Sequence, residues 1–73
     1  MISRDYHGYF IADALDDLEH LIGDIRLRGA REDVELITGF GQIRGYLIER
    51  LKKRGLEPTL KLGNAGTILV VIE

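Results

Sequence analysis

The sequence predicts a two-layer α/β (α+β) sandwich in which a mixed four-stranded sheet of order 1-2-4-3 carries both helices on one face. Strand-like and helix-like patterns follow one another in the order β-α-β-α-β-β. Residues 67–72 form a continuous apolar and β-branched run, which is typical of a central strand. A chain of 73 residues, 45% hydrophobic and 30% charged, is ordinary for one globular domain spanning 1–73.

The first strand and the first helix are predicted from residues 2–6 and 9–28. The strand is short and polar, which suits the edge of a sheet. Apolar residues recur along the helix at spacings of three and four, with carboxylates on the opposite face. This apolar stripe consists of Ile11, Leu15, Leu18, Ile22 and Ile25. Gly23 interrupts the helix at a cost of about 1 kcal/mol relative to alanine, and Gly29 is the expected end.

The second strand and the second helix are predicted from residues 34–38 and from a segment that ends near Arg54. The strand is mostly apolar, as a strand covered by neighbours should be. A glycine-rich turn at 39–41 leads into the helix. The apolar stripe of this helix consists of Ile43, Leu47 and Leu51.

The last two strands determine the sheet order. Residues 57–62 alternate in polarity, and Pro58 lacks an amide, so this third strand belongs at an edge. A turn at 63–66 returns the chain antiparallel, and the apolar fourth strand needs a place between the second and third. Right-handed crossovers put both helices on one face. The other face then exposes apolar side chains, so we expect a homodimer or a larger protein partner there.

Composition narrows the classes of function. The net charge of −2 does not by itself indicate a nucleic-acid binder, but the charges are sorted. The first helix is acidic, through Asp13, Asp16, Asp17, Glu19 and Asp24, and the second is basic, through Arg44, Arg50, Lys52, Lys53 and Arg54. The absence of cysteine excludes disulfides and thiolate zinc sites. With no apolar run near ~20 residues and no signal peptide, we expect a cytoplasmic protein without a membrane partner.

Three loops are predicted to meet at one edge of the sheet. The first three strands run in the same direction, so their carboxyl ends lie together, and open α/β sheets bind ligands outside those ends. The loops begin at His7-Gly8, Thr38-Gly39 and residues 63–66. Both helix N-termini point to the same edge. We therefore expect one shallow cleft lined by all three loops.

Asp5 and His7 are the candidate catalytic residues. They stand two apart on a strand, so their side chains are expected on the same face. A carboxylate at that distance orients an imidazole and raises its pKa, which suits a general base or acid. A surface ion pair at a frayed edge is the alternative. His20 has no such neighbour and is expected to be structural or solvated.

The glycine-rich turn is the candidate anion site. Gly39 and Gly41 permit positive φ and a close approach of the backbone to a ligand. The free amides of the next helix and its dipole favour phosphate or carboxylate; a tight turn without a ligand is the alternative. Arg44 stands where a helix disfavours a cation, which suggests a phosphate partner or simply a solvated arginine. Thr38 either donates its hydroxyl to a phosphate or caps the helix.

Phe40, held between two glycines, is not expected deep in the core. Base stacking is one use for it, and packing against Tyr9 or Phe10 is the other. The predicted phosphate- and nucleic-acid-binding residues are Gly8, Thr38, Gly39, Phe40, Gly41, Arg44, Gly66 and Thr67.

These motifs together resemble the Smr (small MutS-related) domain. The likeness rests on Asp5-Tyr6-His7-Gly8, on residues 36–41, and on residues 63–67 before the last apolar strand. The resemblance implies a fold like the C-terminal domain of bacterial translation initiation factor three. It also implies nucleic-acid binding and, in several members, endonuclease cleavage of DNA or RNA. Asp5 and His7 match the catalytic motif, and Gly39 and Gly41 match the phosphate-facing loop.

The chain also departs from the family pattern. Tyr6 replaces a leucine, and Thr38 stands where a histidine is common. The leucine-arginine pair that often follows the second motif appears as Leu47-Ile48, which leaves Arg44 as a substitute.

Two functions follow, and the sequence leaves open whether the chain is an enzyme. As a nuclease, His7 would move a proton at an RNA 2′-hydroxyl without a metal. On DNA, a water would need activation, and Asp5 with His7 would begin a site for a divalent metal, Mg²⁺ or Mn²⁺, although two side chains do not define one. The alternative is a non-catalytic nucleic-acid-binding or protein-interaction module.

Overall fold

Six elements follow one another in the predicted order. The computed structural model describes all residues from 1 to 73. The elements are β1 (Ile2–Asp5), α1 (Ile11–Leu27), β2 (Glu32–Ile37), α2 (Gln42–Lys53), β3 (Thr59–Lys61) and β4 (Asn64–Ile72). The sheet order is β1-β2-β4-β3, so the predicted arrangement is confirmed.

The strand directions bring three loops to one edge of the sheet. β1 pairs parallel with β2, and β4 pairs antiparallel with both β2 and β3. β3 therefore runs in the same direction as β1 and β2, as predicted. The loops that follow these three strands, and the N-termini of both helices, lie at that edge.

A single apolar core joins the sheet to both helices. Val34 and Leu36 of β2 stand opposite Val70 and Ile68 of β4, and all four side chains are buried. The helical spacing seen in the sequence turns one stripe of each helix onto this face. The buried residues of the helices are Ala14, Leu18, Leu21, Ile22 and Ile25 in α1, and Leu47 and Leu51 in α2.

The bounds of β1, α1, β2, β3 and β4 each differ from the prediction by one to three residues, and the starts of β4 and α1 have a clear local cause. β4 begins at Asn64, because the chain reverses within two residues at Leu62-Gly63, with Gly63 at φ 81°. The predicted turn at 63–66 is therefore mostly strand. α1 begins at Ile11, since a turn in which the Tyr9 amide donates to the Tyr6 carbonyl (3.0 Å) precedes it.

The sorted charges of the two helices pair with each other. Arg54 makes two hydrogen bonds to the carboxylate of Glu19, and Arg50 lies 4.0 Å from the same group. The hydrogen bond from Arg54 lowers the pKa of Glu19. Arg26 donates to the carbonyls of Arg54 (2.8 Å) and Glu73 (2.9 Å) and so closes the end of α2. The arginines at this end of α2 therefore serve helix packing.

The sheet face away from the helices is less apolar than predicted. Leu69 and Val71 are half-buried there and stand opposite Glu35 and Asp33. Lys61 reaches across this face to Glu35 at 2.9 Å. A dimer or larger partner at this face stays a prediction. No helix has the length and apolar character needed to cross a bilayer.

Candidate functional site

The three predicted loops touch one another at the carboxyl edge of the sheet. A Cβ placed on Gly39 would lie 3.2 Å from Cδ2 of His7, and a Cβ on Gly66 would lie 3.2 Å from the Cα of Gly39. The amides of Thr38 and Gly39 both donate to the carbonyl of Gly66, at 2.8 and 3.0 Å. Glycine at 39 and 66 therefore allows the backbones and the imidazole to meet.

An open cleft of about 490 Å³ lies over this junction. Its size falls in the range of about 300–1,000 Å³ that is usual for small-ligand sites. Residues from the first two loops and from the start of α2 line it: His7, Gly8, Tyr9, Thr38, Gly39, Phe40, Gly41, Gln42 and Ile43.

The start of α2 presents unpartnered amides to solvent. Gly41 is the N-cap, with φ −85° and ψ −165°, and no side chain caps the helix. The backbone amides from Phe40 to Arg44 donate no hydrogen bond within the protein, and the first turn holds no acidic residue. Free amides at the positive end of a helix dipole attract anions. Both glycines permit positive φ, but only Gly39 (φ 70°) adopts it, and Gly41 has the extended backbone of an N-cap.

Thr38 is part of the frame of the site. Its side chain is 4% exposed, and its hydroxyl lies within hydrogen-bond distance of the carbonyls of Gly39 (2.9 Å) and Gly66 (3.1 Å). It does not cap α2, so the capping alternative for Thr38 is wrong, and the donation of its hydroxyl to a phosphate stays a prediction. Thr67 is 2% exposed, and the Gly66 amide donates to Oδ1 of Asn64 at 3.2 Å. Gly66 and Thr67 therefore support the loops that form the cleft, and their predicted phosphate contact stays a prediction.

Asp5 supports the backbone of His7 and leaves its ring free. The Asp5 carboxylate accepts a hydrogen bond from the His7 amide at 2.9 Å, and no ion pair joins it to the imidazole. β1 ends at Asp5, and His7 lies in the following turn, so the alternation of a strand no longer applies. The predicted orienting contact is therefore wrong. The exposed imidazole rests on Gly39 instead.

Arg44 is held in place by Ala65 and lies over Phe40, one of the residues that line the cleft. It is half-buried, and its guanidinium donates to the carbonyl of Ala65 at 2.8 Å. The same group lies over the ring of Phe40, 5.7 Å from the centroid. A guanidinium has five N–H donors, so several stay free for an anion. Phe40 itself is 73% exposed and does not stack on Tyr9 or Phe10, which removes the packing alternative.

Tyr6 and Asp17 form a support that the sequence analysis missed. Tyr6 is 1% exposed, and its hydroxyl donates to Oδ2 of Asp17 at 2.6 Å. Burial, and then this hydrogen bond, raise the pKa of Tyr6 above its usual range. The ring of Tyr9 packs edge-on against Tyr6 at 5.3 Å. Asp17 stands four residues before the buried Leu21, on the same side of α1. This spacing could have indicated from the sequence that Asp17 faces the sheet.

His20 is exposed on α1, as predicted, but the expectation that it has no carboxylate neighbour is wrong, because Oδ2 of Asp16 lies 3.8 Å from its ring. Its Nδ1 lies 2.8 Å from the carbonyl of Asp16 on the exposed side of α1, and this hydrogen bond raises the pKa of His20.

The architecture has a known counterpart. The Smr domain of Thermus thermophilus MutS2 superposes with a TM-score of 0.77 and 20% sequence identity, over 100% of this chain and 99% of that chain. The chain has an Smr-like fold. The fold implied by the three motifs is therefore confirmed. No protein-family model and no curated protein sequence matches the chain.

Within this Smr-like fold, no group of three or more histidine, aspartate, glutamate or cysteine side chains is arranged to hold a metal ion. The Asp5 carboxylate is engaged by the His7 amide. The two residues do not form a resident metal site by themselves.

Proposed function

We propose that this Smr-like chain is a nucleic-acid-binding module that holds a phosphodiester between His7 and the start of α2. One observation carries the proposal: the exposed imidazole of His7 rests on Gly39, beside the unpartnered amides from Phe40 to Arg44. An anion in this position accepts hydrogen bonds from amides at the positive end of the dipole. Gly8 and Gly41 line the same cleft and allow close approach.

A phosphodiester suits this set of donors better than a carboxylate. Its two non-bridging oxygens accept from several directions, and the free N–H groups of Arg44 add a charge-assisted donor. Arg44 is held by Ala65, so little side-chain freedom is lost when it binds. The resemblance of the three motifs to Smr domains supports nucleic acid as the source of that phosphate.

The associated activity is endonuclease cleavage, with His7 as the catalytic residue. On RNA, the imidazole removes the proton of a 2′-hydroxyl, and the 2′-oxygen attacks the adjacent phosphorus. The bond from phosphorus to the 5′-oxygen breaks, a 2′,3′-cyclic phosphate forms, and the leaving 5′-oxygen takes up a proton from water. The amides and Arg44 stabilise the charge that develops on the phosphoryl oxygens. Asp5 acts on this residue only through the backbone, as a positioning residue.

A non-catalytic binding module is the second candidate, and one observation favours it. The ring of His7 has no carboxylate or carbonyl partner to fix its tautomer, whereas efficient bases are usually oriented by a third group. Hydrolysis of DNA would need an activated water, and a divalent ion such as Mg²⁺ or Mn²⁺ would supply that activation when bound with the substrate phosphate.

The test uses end-labelled single-stranded RNA, single-stranded DNA and branched DNA, each with Mg²⁺ and with chelator. His7→Ala is compared with His20→Ala, the matched variant of the other histidine. Cleavage that His7→Ala abolishes and His20→Ala retains would establish His7 as catalytic. Binding without cleavage would leave the non-catalytic module. The proposal fails if no nucleic acid binds at low salt.

A further inference from the structure

We propose that the cleft takes its nucleic acid as an unpaired strand, with a base stacked on the ring of Phe40 next to the bound phosphate. This inference rests on the proposed function and adds the substrate class to it. It follows from two features of the molecule, the exposure of the aromatic residues at this edge and the way their rings are held, and from the chemistry of the group that fits them.

Aromatic side chains are concentrated at the rim of the cleft, where they face water. Phe40 is 73% exposed, Tyr9 is 47% exposed and Phe10, the N-cap of α1, is 81% exposed. Single exposed apolar residues are common, but a group at the edge where a ligand binds marks an interaction surface. Phe40 and Tyr9 belong to opposite loops and both line the cleft.

The two rings that line the cleft are held from outside it. The guanidinium of Arg44 lies over Phe40 at 5.7 Å and is itself bound to the Ala65 carbonyl at 2.8 Å. Tyr9 packs at an interplanar angle of 70° on the buried ring of Tyr6. Rings held in this way lose little conformational entropy when a planar group stacks on them. A loose surface phenylalanine would not have this advantage.

An unpaired base is the group that fits such a ring. In a duplex the faces of the bases are covered by their neighbours, and only edges and phosphates are accessible in the grooves. Single strands and loops present free base faces, and proteins that bind them combine cationic contacts with aromatic stacking. Arg44 contributes to the stacking and to the cationic contact. Its guanidinium lies over the ring of Phe40, and its remaining N–H groups are free at the start of α2, where the amides are unpartnered.

The first experiment measures binding of the whole chain by fluorescence anisotropy. The probes are a labelled oligothymidylate and a labelled blunt-ended duplex of two separate strands, which has neither a loop nor an overhang. Phe40→Ala is compared with Phe40→Tyr, which keeps the aromatic face, and with Leu27→Ala. Leu27 is 88% exposed and lies at the other end of α1, roughly 24 Å from its start at a rise of 1.5 Å per residue. Thermal melting verifies that each variant is folded.

We expect Phe40→Ala to weaken single-strand binding by about fivefold or more, as loss of one base–aromatic stack does. Phe40→Tyr and Leu27→Ala should bind like the wild type. The duplex should bind more weakly than the single strand and should be indifferent to Phe40→Ala. In a second measurement, an oligothymidylate carrying one 5-iodouracil is irradiated in complex with the chain. The cross-link should map to the peptide that contains Phe40.

The outcomes separate this inference from the proposed function. If the single strand binds with a salt-dependent affinity that Phe40→Ala does not change, or if duplex binds equally well, the stacking inference is overturned and the phosphate cleft stands. If neither probe binds at low salt, the proposed function and this inference both fail. The exposed aromatic residues would then mark a surface for a protein partner.

Discussion

The imidazole of His7 lies against the backbone of Gly39, with Cδ2 3.2 Å from the point where a Cβ would stand. This contact joins the first two loops of the cleft. It also sets the distance between the proposed catalytic group and the free amides of α2. Glycine at 39 therefore serves two needs: a left-handed backbone at φ 70° and space for the ring.

Gly39→Ala should disturb both stability and function. A left-handed conformation costs a non-glycine residue about 1–2 kcal/mol, and the added methyl group would push the His7 ring away from the cleft. Gly55→Ala is the matched control, because Gly55 has φ 79° with open space around it. Urea denaturation should show a similar loss of stability for both variants. Only Gly39→Ala should lose nucleic-acid binding or cleavage, and equal function in the two would contradict this role for the contact.

The fold was predictable because a few residues and short runs restrict the order of the strands in the sheet. Pro58 lacks an amide and directly precedes β3, which favours an edge position for that strand, and the uninterrupted apolar run of β4 requires a central position. The meeting of three loops then follows from strand direction alone. The individual contacts were not predictable, since they depend on partners far along the chain. The hydroxyl of Thr38, for example, bonds the carbonyl of Gly66, which lies 28 residues further along the chain.

The error at Asp5 has a local cause. Whether two residues share a face depends on where the strand ends, and a boundary that falls between them removes the alternation. β1 ends at Asp5, so its carboxylate bonds the His7 amide and not the ring. Conversely, the glycine at 39 was identified from sequence because positive φ and close packing both demand it.

Tyr6→Phe should lower stability and alter its dependence on pH. The ring would stay buried, but the hydrogen bond to Asp17 would be lost, at a cost of about 1.5–3 kcal/mol for a bond to a charged acceptor. The folded state raises the pKa of Tyr6 above its ordinary 10.0. The tyrosine therefore contributes stability below pH 10.0, and this contribution is lost as the pH rises further.

Urea denaturation between neutral and strongly alkaline pH checks this sign. The wild type should lose more stability above pH 10.0 than Tyr6→Phe does. Tyr46→Phe is the control, because Tyr46 is 49% exposed and donates no hydrogen bond from its hydroxyl within the protein. If the free energy of unfolding falls equally with rising pH in the wild type and in Tyr6→Phe, the role of the buried hydroxyl is refuted.

Two glycine-to-alanine substitutions should change stability in opposite directions. Gly23 lies inside α1 with no atom within 4 Å of an added Cβ, so Gly23→Ala should stabilise by up to about 1 kcal/mol. Gly66→Ala should destabilise, because its Cβ would meet the backbone of Gly39 at 3.2 Å, where neither strand end can retreat. Thermal melting of both variants is sufficient. If Gly23→Ala is destabilised, α1 needs glycine at this position for a reason other than the space that a Cβ would occupy.

Glu19→Gln should weaken the contact between the helices. It should also change how the free energy of unfolding falls at acidic pH. Arg54 lowers the pKa of Glu19 in the folded state below its ordinary 4.5. This carboxylate therefore contributes stability above pH 4.5, and the contribution is lost as the pH falls through the folded pKa. Salt should reduce the difference between wild type and Glu19→Gln at neutral pH, since the pair is partly exposed. Glu49→Gln, at an exposed glutamate without an ion-pair partner, should show neither effect.

Arg44→Ala is expected to weaken nucleic-acid binding without unfolding the chain. The substitution removes one cation beside the amides of α2 and the contact with Ala65 that holds it. The slope of log Kd against log salt should therefore fall by about 1. Arg28→Ala is the control, because Arg28 is exposed at the far end of α1 and forms no ion pair.

Arg44→Lys separates charge from geometry. An ammonium keeps the charge, so the salt slope should return, but it lacks the planar fork that bonds Ala65 while lying over Phe40. Affinity for a single strand should therefore recover only in part. Full recovery would mean that Arg44 acts as a charge alone and that its contact with Phe40 carries no binding energy. An unchanged salt slope in Arg44→Ala would place the phosphate away from the start of α2.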